Sequence, residues 1–215
     1  MTTYTVSASA DDSRMGSIVN DSGRAPTSSG AVSLTETILS PGSHGSNDEW
    51  SVAARFPAVA VAQGATIIAA TFSMKAQASY SSGGTIAYLV SAHAADNAGA
   101  LTSTSGNLNT TARPRTTAVS GTWTQSGVVG GTRYSIDVTS VVQEIVNRAG
   151  WVSGNAIVIL VDTATTTTLG EWQDYYSWDD ATNRTTNPPQ LDITTGGGAT
   201  ASPPSPRPPM HLLAR

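Results

Sequence analysis

The stretch EWQDYYSWDD at residues 171–180 carries the densest set of side chains able to hold a ligand. Aromatic rings stack on the apolar faces of sugars, while neighbouring carboxylates and amides bond to hydroxyl groups. In an extended strand, Trp172, Asp174, Tyr176 and Trp178 share one face, and Gln173, Tyr175, Ser177 and Asp179 share the other. One of those faces must be core, and the plainer reading places its rings there. The functional reading is a glycan platform drawn from Trp172, Tyr175 and Trp178. Tyr175, or Trp172 near the strand start, is then the ring expected to be exposed.

Other residues with chemical potential are more scattered. Asp11 and Asp12, with Asp179 and Asp180, could offer oxygen ligands to calcium, but their spacing matches no EF-hand loop. Aspartates capping strand ends in turns are the stronger reading. A structural calcium is thus unsupported, and no cofactor and no metal ligand is assigned. His44, His93 and His211 lie at no metal-ligand spacing. There are no cysteines, which excludes disulfides, thiolate nucleophiles and Cys-ligated zinc. Glu36, Glu49, Glu144 and Glu171 could supply a glycosidase pair. Nothing in the sequence brings two of them together, and Glu144 reads as a solvated helix residue. No nucleophile elbow, phosphate loop or HExxH motif occurs. The expectation is a protein that is not an enzyme.

Composition narrows the setting. In 215 residues only 12% are charged and 39% hydrophobic, so Ser, Thr, Asn and Gly must cover much of the surface. That balance suits extracellular and virion β-proteins. A net charge of −4, with no basic stripe, argues against nucleic acid as a partner. No apolar run approaches the roughly 20 residues of a membrane helix, so no membrane is expected. The opening MTTYTVSASADD lacks a basic n-region and an apolar core, and is not read as a signal peptide. Surface-type composition without an export signal is expected of a trimmed chain, or of a protein released by cell lysis as virion proteins are.

The elements that must position these residues are mostly strands. Alternation, apolar runs and turn spacing predict strands at 4–10, 32–39, 50–56, 65–78 and 85–92, then at 115–123, 156–162, 170–178 and 190–194. Residues 13–30, 41–48 and 96–111 read as loops, and Gln63-Gly64 as a turn. In YSIDVTSVVQEIVNRAGWVSGNAIVILV, residues 134–161, Val138, Val141, Val142, Ile145 and Val146 recur at helical spacing. One short helix over about 139–148 is predicted, capped by Thr139 or Ser140 and stopped by Gly150. The reading is all-β: a jelly-roll-like two-sheet β-sandwich over 1–195 with that single helix.

Residues 196–215, GGGATASPPSPRPPMHLLAR, form a separate unit: a glycine hinge and an extended Pro-rich C-terminal arm. The plain reading of such a tail is a disordered terminus. The functional reading is a partner-binding arm, with Pro203 and Pro204 holding it extended. Arg207 would then pair with acidic groups, while Met210, Leu212 and Leu213 bury apolar area on a neighbour.

Six segments resemble the DNRLRE-like β-sandwich family, related to jelly-roll carbohydrate-binding modules and found in phage structural proteins and bacterial surface proteins. They are ASADD at 8–12, ARFPAVAVAQGATIIAATFSMKA at 54–76, HAADNAGAL at 93–101, DVTSVVQEIVNRAGWVSGNAIVILV at 137–161, YYSWDD at 175–180 and PPQLDIT at 188–194. The resemblance implies a fold and a setting, not a catalytic residue set. Arg55 and Phe56 would then lie in a strand before the Gly64 turn, and Trp151 would pack back over the helix. The arm has no counterpart in the family pattern. The resulting expectation is a structural protein of a tailed-phage virion, meaning a capsid decoration, head-fibre or tail-associated subunit. Its partners would be other virion proteins, with a homo-oligomer and a glycan as further candidates. The alternative is a carbohydrate-binding module of a secreted or cell-surface bacterial protein.

Overall fold

The computed structural model describes residues 1–17, 30–43, 49–78, 85–164 and 172–196. In chain order these form β1 (Thr2–Thr5), β2 (Asp12–Ser17), β3 (Val32–Ser33), β4 (Ile38–Leu39), β5 (Gly42–Ser43), β6 (Glu49–Phe56) and β7 (Ile67–Lys75). Next come β8 (Thr85–Ala92), β9 (Trp123–Ser126), β10 (Arg133–Asp137), α1 (Thr139–Val146), β11 (Ile157–Thr163), β12 (Tyr175–Tyr176) and β13 (Gln190–Thr195). The all-β sandwich expected from the sequence is what forms. A small sheet runs β1-β13-β7-β10; a larger one runs β3-β2-β6-β11-β8-β9, with β5 added beside β6. Strand pairs throughout these sheets are antiparallel.

Between the sheets lies the main core. Phe72 of the small sheet meets Phe56 and Trp123 of the large one edge-on, each with ring centroids 6.3 Å apart. A second cluster covers the opposite face of the large sheet, where Met15, Ala53, Val158 and Leu160 pack against Ala98, Leu101 and Leu108. Strand β11 is therefore buried on both faces. This is why IVILVDT reads as a continuous apolar run rather than an alternation. The cover over that second cluster is the polar, irregular stretch expected around 96–111. Arg113, only 4% exposed, gathers it by donating to the carbonyls of Gly99, Ala100 and Asn107.

Helix α1 buries Val141, Val142, Ile145 and Val146, the stripe predicted for it. It stops at Val146, with Asn147 as its C-cap, two residues short of the expected end. Its start is also different: neither Thr139 nor Ser140 caps it. The residue before the first turn is Val138, and Asp137 Oδ1 accepts the Thr139 N–H at 2.7 Å. Thr139 Oγ1 is spent on the Ala70 N–H of β7 at 2.9 Å, tying the helix to the sheet instead. Glu144 is likewise no solvated bystander. Its carboxylate accepts the N–H groups of Thr117 and Ala118. Trp151 is buried in the same core as the helix stripe and donates its Nε1–H to the Val61 carbonyl.

Several strand expectations need correction. The predicted loop at 13–30 begins as strand β2, whose sequence DSRMGS offers only one apolar residue, Met15, and buries the polar Asp12 and Ser13 beside it. The predicted strand at 115–123 is not one. There the hydroxyls of Thr116 and Ser120 accept the Ala92 and Val90 N–H groups of β8, replacing the carbonyls a strand would present. The predicted strand at 32–39 splits into β3 and β4, and that at 170–178 shortens to β12. Strand β12 pairs with β4, and single bridges extend the pair to Gly42–Trp172 and Ala76–Tyr175. Segments 38–43 and 172–176 thereby link the two sheets along one flank.

Candidate functional site

The alternation predicted for 172–178 holds, and it decides which rings are available. Gln173, Tyr175 and Ser177 are buried, whereas Trp172, Asp174, Tyr176 and Trp178 are half-buried. The expectation of an exposed Tyr175 was wrong. Its ring stacks on Trp123 in the main core with centroids 6.2 Å apart, and its hydroxyl donates to Gln173 Oε1. Burial raises its phenol far above the usual range. Trp178 packs against the same core, with the Arg184 guanidinium 5.7 Å from its ring. Trp172 is bridged to Gly42 through the backbone. The three rings thus form no single platform. The signal that could have excluded Tyr175 was its shared face with Gln173 and Ser177, both small or neutral enough to bury.

The same segment holds something else in place. Ser177 Oγ donates to the Glu36 carbonyl, and the Ser177 N–H reaches the Thr37 carbonyl at 3.4 Å. Glu36 faces a concave site at the β3-β2-β6 edge of the large sheet, lined also by Arg14, Gly16, Ala31, Val32, Ser33 and Trp50, with a cavity of about 190 Å³. Arg14 Nη2 pairs with Glu36 Oε1 at 3.0 Å, and its Cζ lies 4.0 Å from the centroid of the Trp50 ring. Cross-strand register puts Gly16 opposite Trp50. A Cβ on Gly16 would lie 3.3 Å from Trp50 Nε1, and one on Gly30 would strike the Gly16 carbonyl oxygen at 1.5 Å. Gly16 therefore leaves room for the Trp50 ring, and Gly30 for the Gly16 backbone. Trp50 drew no notice in the sequence beyond being the first residue of an alternating strand.

The aspartates have become structural. Asp11 and Asp12, read as turn formers, are buried at 5% and 1% exposure. Asp11 pairs with Arg55 at 2.7 Å, which binds the first connection to β6. Asp12 accepts the Trp178 N–H at 2.7 Å, and Asp179 accepts the Ser9 hydroxyl at 2.6 Å. Only Asp180 is a turn former, capping the N–H groups of Thr182 and Asn183. Among the described residues, no group of three His, Cys, Asp or Glu side chains converges as a cation site requires.

Burial, with Asp179 and Asp11 nearby, pushes the Asp12 carboxyl up to about 8. Between the ordinary value of 3.8 and that value, the unfolded chain ionises while the folded one keeps its proton. Stability from this group is therefore greatest in acid and falls as pH rises through that window, by at most about 1.4 kcal/mol per pH unit. Asp12→Asn keeps the acceptor for Trp178 and removes the ionisation. The variant is expected to melt higher than the parent at pH 8, with the gap closing near pH 4. Parallel Tm profiles for the two proteins would contradict this.

The glutamates considered as an acid–base pair are engaged separately. Glu36 holds Arg14, Glu49 accepts the Thr163 hydroxyl, and Glu144 accepts two backbone N–H groups. His93 is depressed to about 4, by burial first and then by Arg113, Arg115 and Arg148, so it is neutral at physiological pH. His44, His211, Glu171 and the arm residues Pro203, Pro204, Arg207, Met210, Leu212 and Leu213 lie outside the described residues. No family model matches this chain. A search of curated proteins finds no relative for it.

Proposed function

We propose that this chain is a non-enzymatic structural protein of a tailed-phage virion, a capsid-decoration, head-fibre or tail-associated subunit that also contacts glycans. The observation that carries this reading is where the sandwich ends. Strand β13 completes the small sheet at Thr195, directly before the glycine hinge. Thr2 of β1 pairs with Ile193, so the chain enters the sheet beside the point where the arm departs. A body finished before its arm begins can present one face to solvent and be held from one end. Residues 196–215 are then the attachment, and capsid or tail subunits are the partners. The polar, weakly charged composition and the resemblance to phage structural sandwiches support the same setting.

A second reading, a carbohydrate-binding module of a secreted or cell-surface protein, is favoured by the site around Trp50. Antibody raised against the sandwich separates the two. On the virion reading it labels purified tailed particles in repeated copies after lysis. Label found only on the surface or in the medium of unlysed cells would replace the first reading with the second.

A further inference from the structure

We infer that a proton held between the carboxyl groups of Asp12 and Asp179 latches the 177–187 segment onto the start of β2, and that this flank of the sandwich loosens as the solution turns alkaline.

Acids outnumber cations where these elements meet. The short turn Ser9–Asp11 leads into β2, and Asp11 and Asp12 are both buried there. Asp179 approaches from the 177–187 segment. The N–H of Trp178, one residue earlier, donates to Asp12 Oδ2, and Asp179 Oδ1 accepts the Ser9 hydroxyl. Strand β6 brings Arg55, whose guanidinium is committed to Asp11 and to the Ala98 carbonyl. Arg14, further along β2, is paired with Glu36, and Arg184 lies over the Trp178 ring. Two neighbouring carboxyl groups that are poorly hydrated share a site on which both cannot easily ionise.

Hydrogen bonding asks for the same proton. Asp179 Oδ2 is a buried acceptor with no donor among the described residues, and orphaned oxygens of this kind are rare in folded proteins. An ionised carboxylate has no donor to offer, whereas a protonated one has. Asp12 is the member that keeps the proton. Burial raises its carboxyl to about 8, helped by the charges of Asp179 and Asp11 and opposed by the Trp178 N–H.

When that proton leaves for solvent, both carboxylates carry charge and Asp179 Oδ2 loses its donor. Lifting the segment relieves the repulsion. Once lifted, Asp12 is hydrated and ionises near the ordinary 3.8. Between that value and about 8 the closed flank holds one proton more than the open one. The open fraction therefore rises by up to about tenfold per pH unit and levels off above that window. Its consequence reaches the site at the β3-β2-β6 edge. Ser177 fixes the Glu36 carbonyl, so lifting the segment also frees the partner of Arg14.

The test is amide hydrogen exchange of the full chain, followed by NMR from about pH 5 to about pH 9 and divided by the intrinsic rate at each pH. The Trp178 N–H should lose protection by up to about tenfold per pH unit until about pH 8, and no further beyond it. At every pH it should be less protected than Ile159 in the centre of β11, whose exchange reports opening of the whole fold. Asp12→Asn should flatten the Trp178 profile. Asp179→Asn should move its levelling point to lower pH, because the like charge is gone. The parent profile decides the matter if a variant does not fold. A flat parent profile, or an unchanged slope in Asp12→Asn, overturns the latch because the proton is elsewhere. An unmoved levelling point in Asp179→Asn overturns the pairing. Equal protection of Trp178 and Ile159 at every pH overturns it as well, since the flank would then open only with the whole sandwich.

Discussion

Replacing Arg115 with alanine is expected to cost about 3–5 kcal/mol of stability, a large share of the 5–15 kcal/mol that holds a typical domain together. Arg115 grips Asp162 with two bonds of 3.0 Å, Nε to Oδ2 and Nη2 to Oδ1. The Arg115 and Asp162 side chains are only 12% and 6% exposed. The same guanidinium donates to the carbonyls of Arg113 and Leu108, so it also fastens the irregular cover to the large sheet. Without it, Asp162 keeps the Ser51 hydroxyl at 2.7 Å, and its charge stays buried near the end of β11. An uncompensated buried charge, more than the lost attraction, produces the cost. Urea denaturation should show a lower midpoint with an unchanged slope. Adding Asp162→Asn to the variant should recover part of the loss, because the stranded charge is then gone. A loss under about 1 kcal/mol, the range of exposed pairs, would mean that water reaches this pair and that the cover is not anchored there.

That pair shows where the sequence could be read and where it could not. The helix stripe and strand 85–92 were legible because each has a period fixed by one main buried face, whereas strand 50–56 alternates in residue type although Val52, Ala53, Ala54 and Phe56 are all buried. Thr85–Ala92 came out at its predicted limits. Strand β11 was legible for the opposite reason, as an apolar run buried on both sides. Strand β2 was not, since its buried residues are Asp12, Ser13 and Met15, of which only Met15 is apolar, and the partner of Asp12, Trp178, is distant in sequence. Polar burial leaves no periodic trace until the partners are known. The run 115–123 failed similarly: its Thr and Ser residues suit a strand, but their hydroxyls do the bonding.

The candidate site follows the same division. The dense aromatic cluster at 171–180 drew notice, yet one ring is core and the segment's clearest service is to fix Glu36. The pocket itself joins residues from β2, β3 and β6 with the stretch after β3. No spacing along the chain announces a site assembled from four separate places. The glycines at 16 and 30 gave a trace of it, but a glycine in a polar segment reads as loop until the neighbour it admits is seen.

In the proposed function the sandwich ends at Thr195 and residues 196–215 attach it. There the glycines after Thr195 would act as a hinge, and the prolines that follow would lower the entropy lost on fixing the segment against a partner. Burial of Met210, Leu212 and Leu213 would contribute about 25 cal/mol per Å² before ordering costs. On a repeated lattice, many such weak contacts add through avidity. The decisive measurement is co-sedimentation of a version ending at Thr195 with particles that lack the native protein. It should melt cooperatively, within a few degrees of the full chain, and fail to join the particles. Full incorporation of the shortened protein would contradict the account and place the attachment on the sandwich itself.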